Sequence, residues 1–78
     1  MLKPGIYKHY KGHPYKVIGT AKHSETLEDM VVYEAQYDND MGKLWIRPLA
    51  MFIEDVEVDG KMVKRFEFQG VALETLAT

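Results

Sequence analysis

With 78 residues and no cysteine, the chain has room for one hydrophobic core, and neither a disulfide framework nor a thiolate zinc site can brace it. Ten basic residues against twelve acidic ones give a net charge of −2, which argues against a dedicated nucleic-acid binder with a strongly basic footprint. No stretch approaches the ~18 consecutive apolar residues of a membrane helix, and Met1-Leu2-Lys3-Pro4-Gly5 lacks the apolar segment of a secretory signal, so the cytoplasm is the expected address and no membrane contact is expected.

Short runs of aromatic and β-branched residues recur between turn formers at spacings of about 8 to 12 residues, the pattern of a small antiparallel barrel or sandwich. Gly5 to Tyr10 reads as a first strand, closed by Lys11-Gly12-His13-Pro14, where glycine tolerates a positive φ and proline cannot donate to a central ladder. Tyr15 to about His23 is the second, with Val17, Gly19 and Ala21 on one side, Lys16, Thr20 and Lys22 on the other, and Gly19 the expected bulge. The polar segment His23 to Asp29 suits one helical turn capped by Ser24. Met30 to Tyr37 is a third strand sharing Val31, Tyr33, Ala35 and Tyr37 on one face; Asp38 to Gly42 is turn chemistry. Leu44 to Arg47 is a fourth strand, which Pro48 ends, and Leu49 to Phe52 fits a single helical turn.

Asp59-Gly60 is a strong type I′ hairpin signal. A two-residue loop there pairs Val56 with Val63, Asp55 with Lys64, Glu54 with Arg65 and Ile53 with Phe66, two apolar and two opposite-charge pairs. Val56 and Ile53 would then point to opposite faces, which calls for strong twist or a bulge. After Phe68 the pattern fades, so the expected organisation is one domain over residues 1–78, with an ordered core of about 5–68 and a tail over 69–78. The whole predicts an all-β fold, a small SH3-like barrel of five or six short antiparallel strands with one short helical turn. An immunoglobulin sandwich needs about 100 residues, and an OB-fold is longer with an internal helix.

Charge is segregated along the chain. Lys3 to His23 holds five lysines and three histidines with no acid, whereas Ser24 to Asp40 holds six acids and no base. The plain use of such segments is pairing across neighbouring strands, at about 0.2 to 1 kcal/mol per pair. The other use is a locally positive face.

Several blocks together carry a resemblance: Gly5-x-Tyr7-x-His9-Tyr10-Lys11-Gly12, Tyr15-x-Val17, Ala21-x-His23-Ser24-Glu25-Thr26, Val32-Tyr33, Trp45-Ile46-Arg47-Pro48-x-x-Met51-Phe52, and Gly60 with Arg65-Phe66. The chain resembles, from about Gly5 to Phe68, the bacterial domain of unknown function 1653 family. The resemblance implies a short, stand-alone, β-rich bacterial protein and brings no catalytic residue or activity with it.

The histidines are the first candidates for chemistry. His9 and His13 sit on a strand and in a turn rather than on one helix face, and with His23 and Glu25 they form a metal set only if the fold gathers them. His23-Ser24-Glu25 contains the residue types of a serine triad, but adjacent positions cannot align their side chains in one hydrogen-bonded line. No glycine-rich phosphate cradle exists, and no cofactor is called for. The aromatic and basic set is richer: Tyr7, Tyr10, Tyr15, Tyr33, Tyr37, Trp45 and Arg47. If Leu44 and Ile46 face inward, Trp45 and Arg47 stand outward together, an indole beside a guanidinium suited to stacking. In the opposite facing, Trp45 plugs the barrel and Arg47 pairs with an acid such as Glu25 or Glu34.

The expected function is therefore a binding module rather than an enzyme. His9, Tyr10, Trp45 and Arg47, with the His23-Ser24-Glu25 loop, form its surface for a protein or peptide partner. Nucleic-acid binding through the lysine-rich N-terminal third is the alternative, and a small metal protein or enzyme using His9, His13 or His23 comes third. Homo-oligomerisation fits a small barrel with exposed edge strands.

Overall fold

A computed structural model describes residues 2–71. Among these, β1 (Gly5–His9), β2 (Pro14–Lys22), β3 (Asp29–Ala35) and β4 (Leu44–Pro48) run into the helical turn α1 (Leu49–Phe52), followed by β5 (Asp55–Val58), β6 (Lys61–Lys64) and β7 (Phe66–Gly70). Five strands form one antiparallel sheet in the order β4-β3-β2-β1-β7, and β5 pairs with β6 in a separate hairpin. The all-β class, the antiparallel pairing and the single helical turn after the fourth strand are as expected. Two points differ from the barrel of five or six strands expected: there are seven strands among the described residues, and the sheet is open, because pairing runs from β4 to β7 and does not return to join those two edges.

Curling comes from an irregularity in β2. Val17 pairs with Tyr33 while Gly19 pairs with Val32, leaving Ile18 as the extra residue, half exposed. The bulge thus lies one position before the glycine that marked it. An inserted residue reverses the alternation, so the face of Val17 continues at Thr20, opposite Val31, and not at Gly19 and Ala21 as regular alternation predicted.

The core gathers Tyr7, Val17, Val31, Tyr33, Phe52 and Phe66, with Leu2, Tyr15, Trp45 and Leu49 packed against it. Phe52, 1 % exposed, stacks on Phe66 with ring centroids 4.0 Å apart and meets Tyr7 and Tyr33 edge-on. The turn α1 thereby lowers one ring into the concave face of the sheet. Proline supplies its entry, with φ at −53° already suited to the preceding extended residue.

Three local readings change. The hairpin register around Asp59-Gly60 holds from Val58↔Lys61 to Asp55↔Lys64, and Glu54 and Arg65 meet through both backbone and side chain. Pairing then stops. Phe66 does not face Ile53, because it turns into the core to open β7 opposite His9, while Ile53 stays exposed. No twist or bulge is needed to reconcile Val56 with Ile53. The strand β7 also extends through Gln69 and Gly70, which the sequence pattern assigned to the tail; the remainder of that tail, 72–78, lies outside the described residues.

Between β2 and β3 the chain makes a turn, not a helix, and Ser24 is not its cap. His23 Nδ1 instead accepts the backbone N–H groups of Glu25 and Thr26 at 3.1 and 3.3 Å. Leu27 takes a positive φ of 63° to close the loop. The charge segregation resolves in part into cross-strand pairing: Lys22 meets Asp29 at 2.7 Å, and Lys16 stands opposite Glu34. Among the described residues no helix is long and apolar enough to cross a membrane.

Candidate functional site

Strand β4 takes its facing from β3. Trp45 lies opposite Tyr33 and Arg47 opposite Val31, both buried, so Trp45 and Arg47 turn to the concave face and are half-buried. Leu44 and Ile46 point outward, each 63 % exposed. The arrangement with Trp45 and Arg47 on the outer face is thus corrected, for a plain reason: cross-strand partners share a face.

Nor does Arg47 find the acid expected of the opposite facing. Glu34 stands on the outer face beside Leu44, and Glu25 lies in the β2–β3 loop. The Arg47 guanidinium instead rests over the Phe66 ring, 5.7 Å from its centroid, and its Nε donates to the Tyr33 hydroxyl at 3.4 Å. Among the described residues no carboxylate lies within ion-pair distance of it.

His9 joins this face to a groove. On the inner side its ring meets Phe66 and Tyr15 edge-on, at 4.9 and 6.4 Å. On the outer side it stacks on Tyr10 at 4.5 Å, and its Nδ1 accepts the Lys11 backbone N–H. A groove of about 330 Å³ runs from there towards the β5–β6 hairpin, lined by Lys8, His9, Tyr10, Val58, Val63, Lys64 and Glu67. Burial, and then the positive charges of Arg47, Lys11, Arg65 and His13, hold the His9 pKa below its ordinary value. Arg65 is itself matched by Glu54 at 2.7 Å.

The Tyr33 ring leads on to a second pair of hydroxyl groups. Tyr15 and Tyr37 share a 2.6 Å hydrogen bond, and the Tyr15 ring lies edge-on to Tyr33. Burial, followed by that hydrogen bond, raises the Tyr15 pKa far out of the working range. His13 stacks on Tyr37 at 4.3 Å. The indole Nε1 of Trp45 is buried without a hydrogen-bond partner, a condition that costs about 1–3 kcal/mol.

The candidate residues therefore fall in two places. His9, Tyr10 and Arg47 come together through Phe66, with Trp45 two positions from Arg47 on the same face. His23, Ser24 and Glu25 do not join them: their loop follows the end of β2, and its hydrogen bonds close within it on His23 and Glu28. His9 and His13 are neighbours, the His9 N–H donating to the His13 carbonyl at 2.8 Å, while His23 lies apart in the β2–β3 loop, and among the described residues no group of three His, Asp or Glu side chains is placed to hold a metal ion. Phe66 was missed as the platform under Arg47 because the hairpin register assigned it to Ile53. The alternation of Phe66-Glu67-Phe68 after the charged Lys64-Arg65 was the signal for a new strand.

The family model of proteins of unknown function DUF1653 matches residues 5–68. A crystal structure of a DUF1653 protein from Bordetella bronchiseptica is similar to this chain, with 34% sequence identity, coverage of 90% of each chain and a TM-score of 0.86. No curated protein matches.

Proposed function

Because the chain belongs to the DUF1653 family of proteins of unknown function, its role has to be read from its own surface, and we propose that it is a small binding module for a protein or peptide partner. The observation that carries this reading is the Arg47 guanidinium, held on an aromatic platform with no carboxylate beside it. A half-buried guanidinium is costly to leave without a counter-charge, and Phe66 and Tyr33 fix it rather than neutralise it. A partner carrying a carboxylate would supply the missing charge through charge-assisted hydrogen bonds. The neighbouring groove adds what a peptide anchor uses, a stacked His9–Tyr10 pair and apolar lining from Val58 and Val63.

The competing nucleic-acid reading draws support from Lys8 and Lys64 beside Tyr10 along the same groove. Against it, Lys22 is paired with Asp29 and Lys16 faces Glu34.

Selection of binders from a display library of random peptides, followed by titration against the Arg47→Gln variant, tests the reading. Selected peptides should carry an acidic side chain or depend on their terminal carboxylate, and Arg47→Gln should weaken them about tenfold or more while leaving the melting temperature within a few degrees. Equal affinity of the variant would refute the role of Arg47. Binding of single-stranded nucleic acid that falls steeply with salt would favour the competing reading.

A further inference from the structure

The edge strand β4 carries a second binding element in its outward-pointing backbone groups. The Ala35 N–H donates to the Lys43 carbonyl at 2.8 Å, and the register from Glu34↔Leu44 to Met30↔Pro48 continues without a shift. Bonded and non-bonded pairs alternate in an antiparallel ladder. Trp45 and Arg47 therefore direct their backbone groups to β3, and Leu44 and Ile46 direct theirs to the open edge. Pro48 has the same parity, so the donor that proline lacks is one that would have pointed outward, the position in which edge strands accept it. Nothing among the described residues pairs with this edge. Its outward side chains are Leu44 and Ile46, with Pro48 as the one blocking residue of the strand, whereas the other edge strand, β7, exposes Glu67 and Gln69 beside Phe68.

We propose that β4 pairs antiparallel with β4 of a second copy about a two-fold axis at Ile46, joining the two five-stranded sheets edge to edge. Parity restricts the outward groups to registers in which the paired numbers have an even sum. Two of these form four hydrogen bonds each, and charge separates them. With Leu44 opposite Ile46, Arg47 would face Lys43 of the second copy, two like-charge pairs that oppose association. With Ile46 opposite its own copy, Leu44 faces Pro48 and Trp45 faces Arg47 of the second copy, an aromatic–cation pairing in place of the repulsion. In that register Ile46 exchanges two backbone bonds with its counterpart, and each Leu44 N–H donates to a Pro48 carbonyl. The apolar side chains on the outer face are covered by one another, and an isologous patch of this kind closes as a dimer rather than a fibre.

The test is sedimentation of the full chain from about 1 to about 300 µM, where a dimer that dissociates on dilution is expected. Ile46→Lys, at an exposed position, should give a monomer with an unchanged circular dichroism spectrum. The chain has no cysteine of its own, so Ile46→Cys should cross-link to its counterpart under mild oxidation, the Cα atoms of a bonded pair lying about 5.5 Å apart. Leu44→Cys should not, because its counterpart lies about 14 Å away in this register. A monomer over the whole concentration range, a dimer that survives Ile46→Lys, or equal cross-linking from both cysteine variants would overturn the proposal. So would a monomer whose β4 edge takes up an extended peptide, because the occupant would then be a different one.

Discussion

Replacing Phe52 by leucine should measure how much of the fold depends on the ring that α1 lowers onto the open sheet. The side chain is 1 % exposed and its ring is stacked on Phe66 at 4.0 Å. Leucine retains most of the apolar volume but loses the stacked and edge-on ring contacts, for which about 1–2 kcal/mol is the expected loss. A chain of 78 residues has a total stability of roughly 4–12 kcal/mol, so the variant stays folded and its melting temperature falls by about 5–15 °C. Alanine, at about 3–5 kcal/mol, would bring it close to unfolding. Trp45 is the single tryptophan and packs against this core, which makes its fluorescence the reporter for urea titrations. Ile53→Ala serves as the control, because Ile53 is the next residue and is 58 % exposed, where a change stays within about 0.5 kcal/mol. If Phe52→Leu costs no more than Ile53→Ala, α1 is not the element that completes the core.

The remaining predictions are shorter. His9 titrates below its ordinary 6.5, first through burial and then through Arg47, Lys11, Arg65 and His13; the unfolded chain therefore takes up a proton at a pH where the folded one does not. Stability should fall as pH drops from about 6.5 towards the folded pKa, and His9→Asn, which keeps an acceptor for the Lys11 N–H, should flatten that slope in urea midpoints. An unchanged slope in the variant would remove His9 as the cause. Gly5→Ala should destabilise by about 2 kcal/mol or more, since a Cβ there meets the Gly70 carbonyl oxygen at 2.5 Å at a φ of +142°. Gly12→Ala, at φ +103° with open space around it, should cost only the backbone conformation, about 1–2 kcal/mol; thermal melts that rank the two the other way would contradict the β1–β7 packing. The exposed Lys22–Asp29 pair, 64 % and 52 % accessible, should give less than about 0.5 kcal/mol in a double-mutant cycle.

How much could be read in advance depended on the range of the interaction involved. The Asp59-Gly60 register follows from turn geometry acting over a few residues, and Asp55↔Lys64 and Val56↔Val63 stand as the arithmetic placed them. The end of that pairing was not legible, because Phe66 is drawn into β7 by Phe52, Tyr33 and β1, partners far away in sequence. Ser24 looked like the better cap by propensity, yet the closure of the β2–β3 turn brought the two N–H groups to His23 instead. The binding face shows the same division. Its residue types were evident in His9, Tyr10, Trp45 and Arg47, while the platform Phe66 and the exclusion of His23, Ser24 and Glu25 were not.

The order of the first six strands, the turn at Asp59-Gly60, the helical turn after Pro48 and the all-β class were determined by the sequence alone, since each rests on alternation or on backbone restrictions within a few residues. Only the tertiary structure decided which side of β4 is buried. Alternation places Trp45 with Arg47 and Leu44 with Ile46, but it is symmetric to exchanging the two faces. That symmetry is broken by pairing with β3, whose Val31 and Tyr33 already belong to the core.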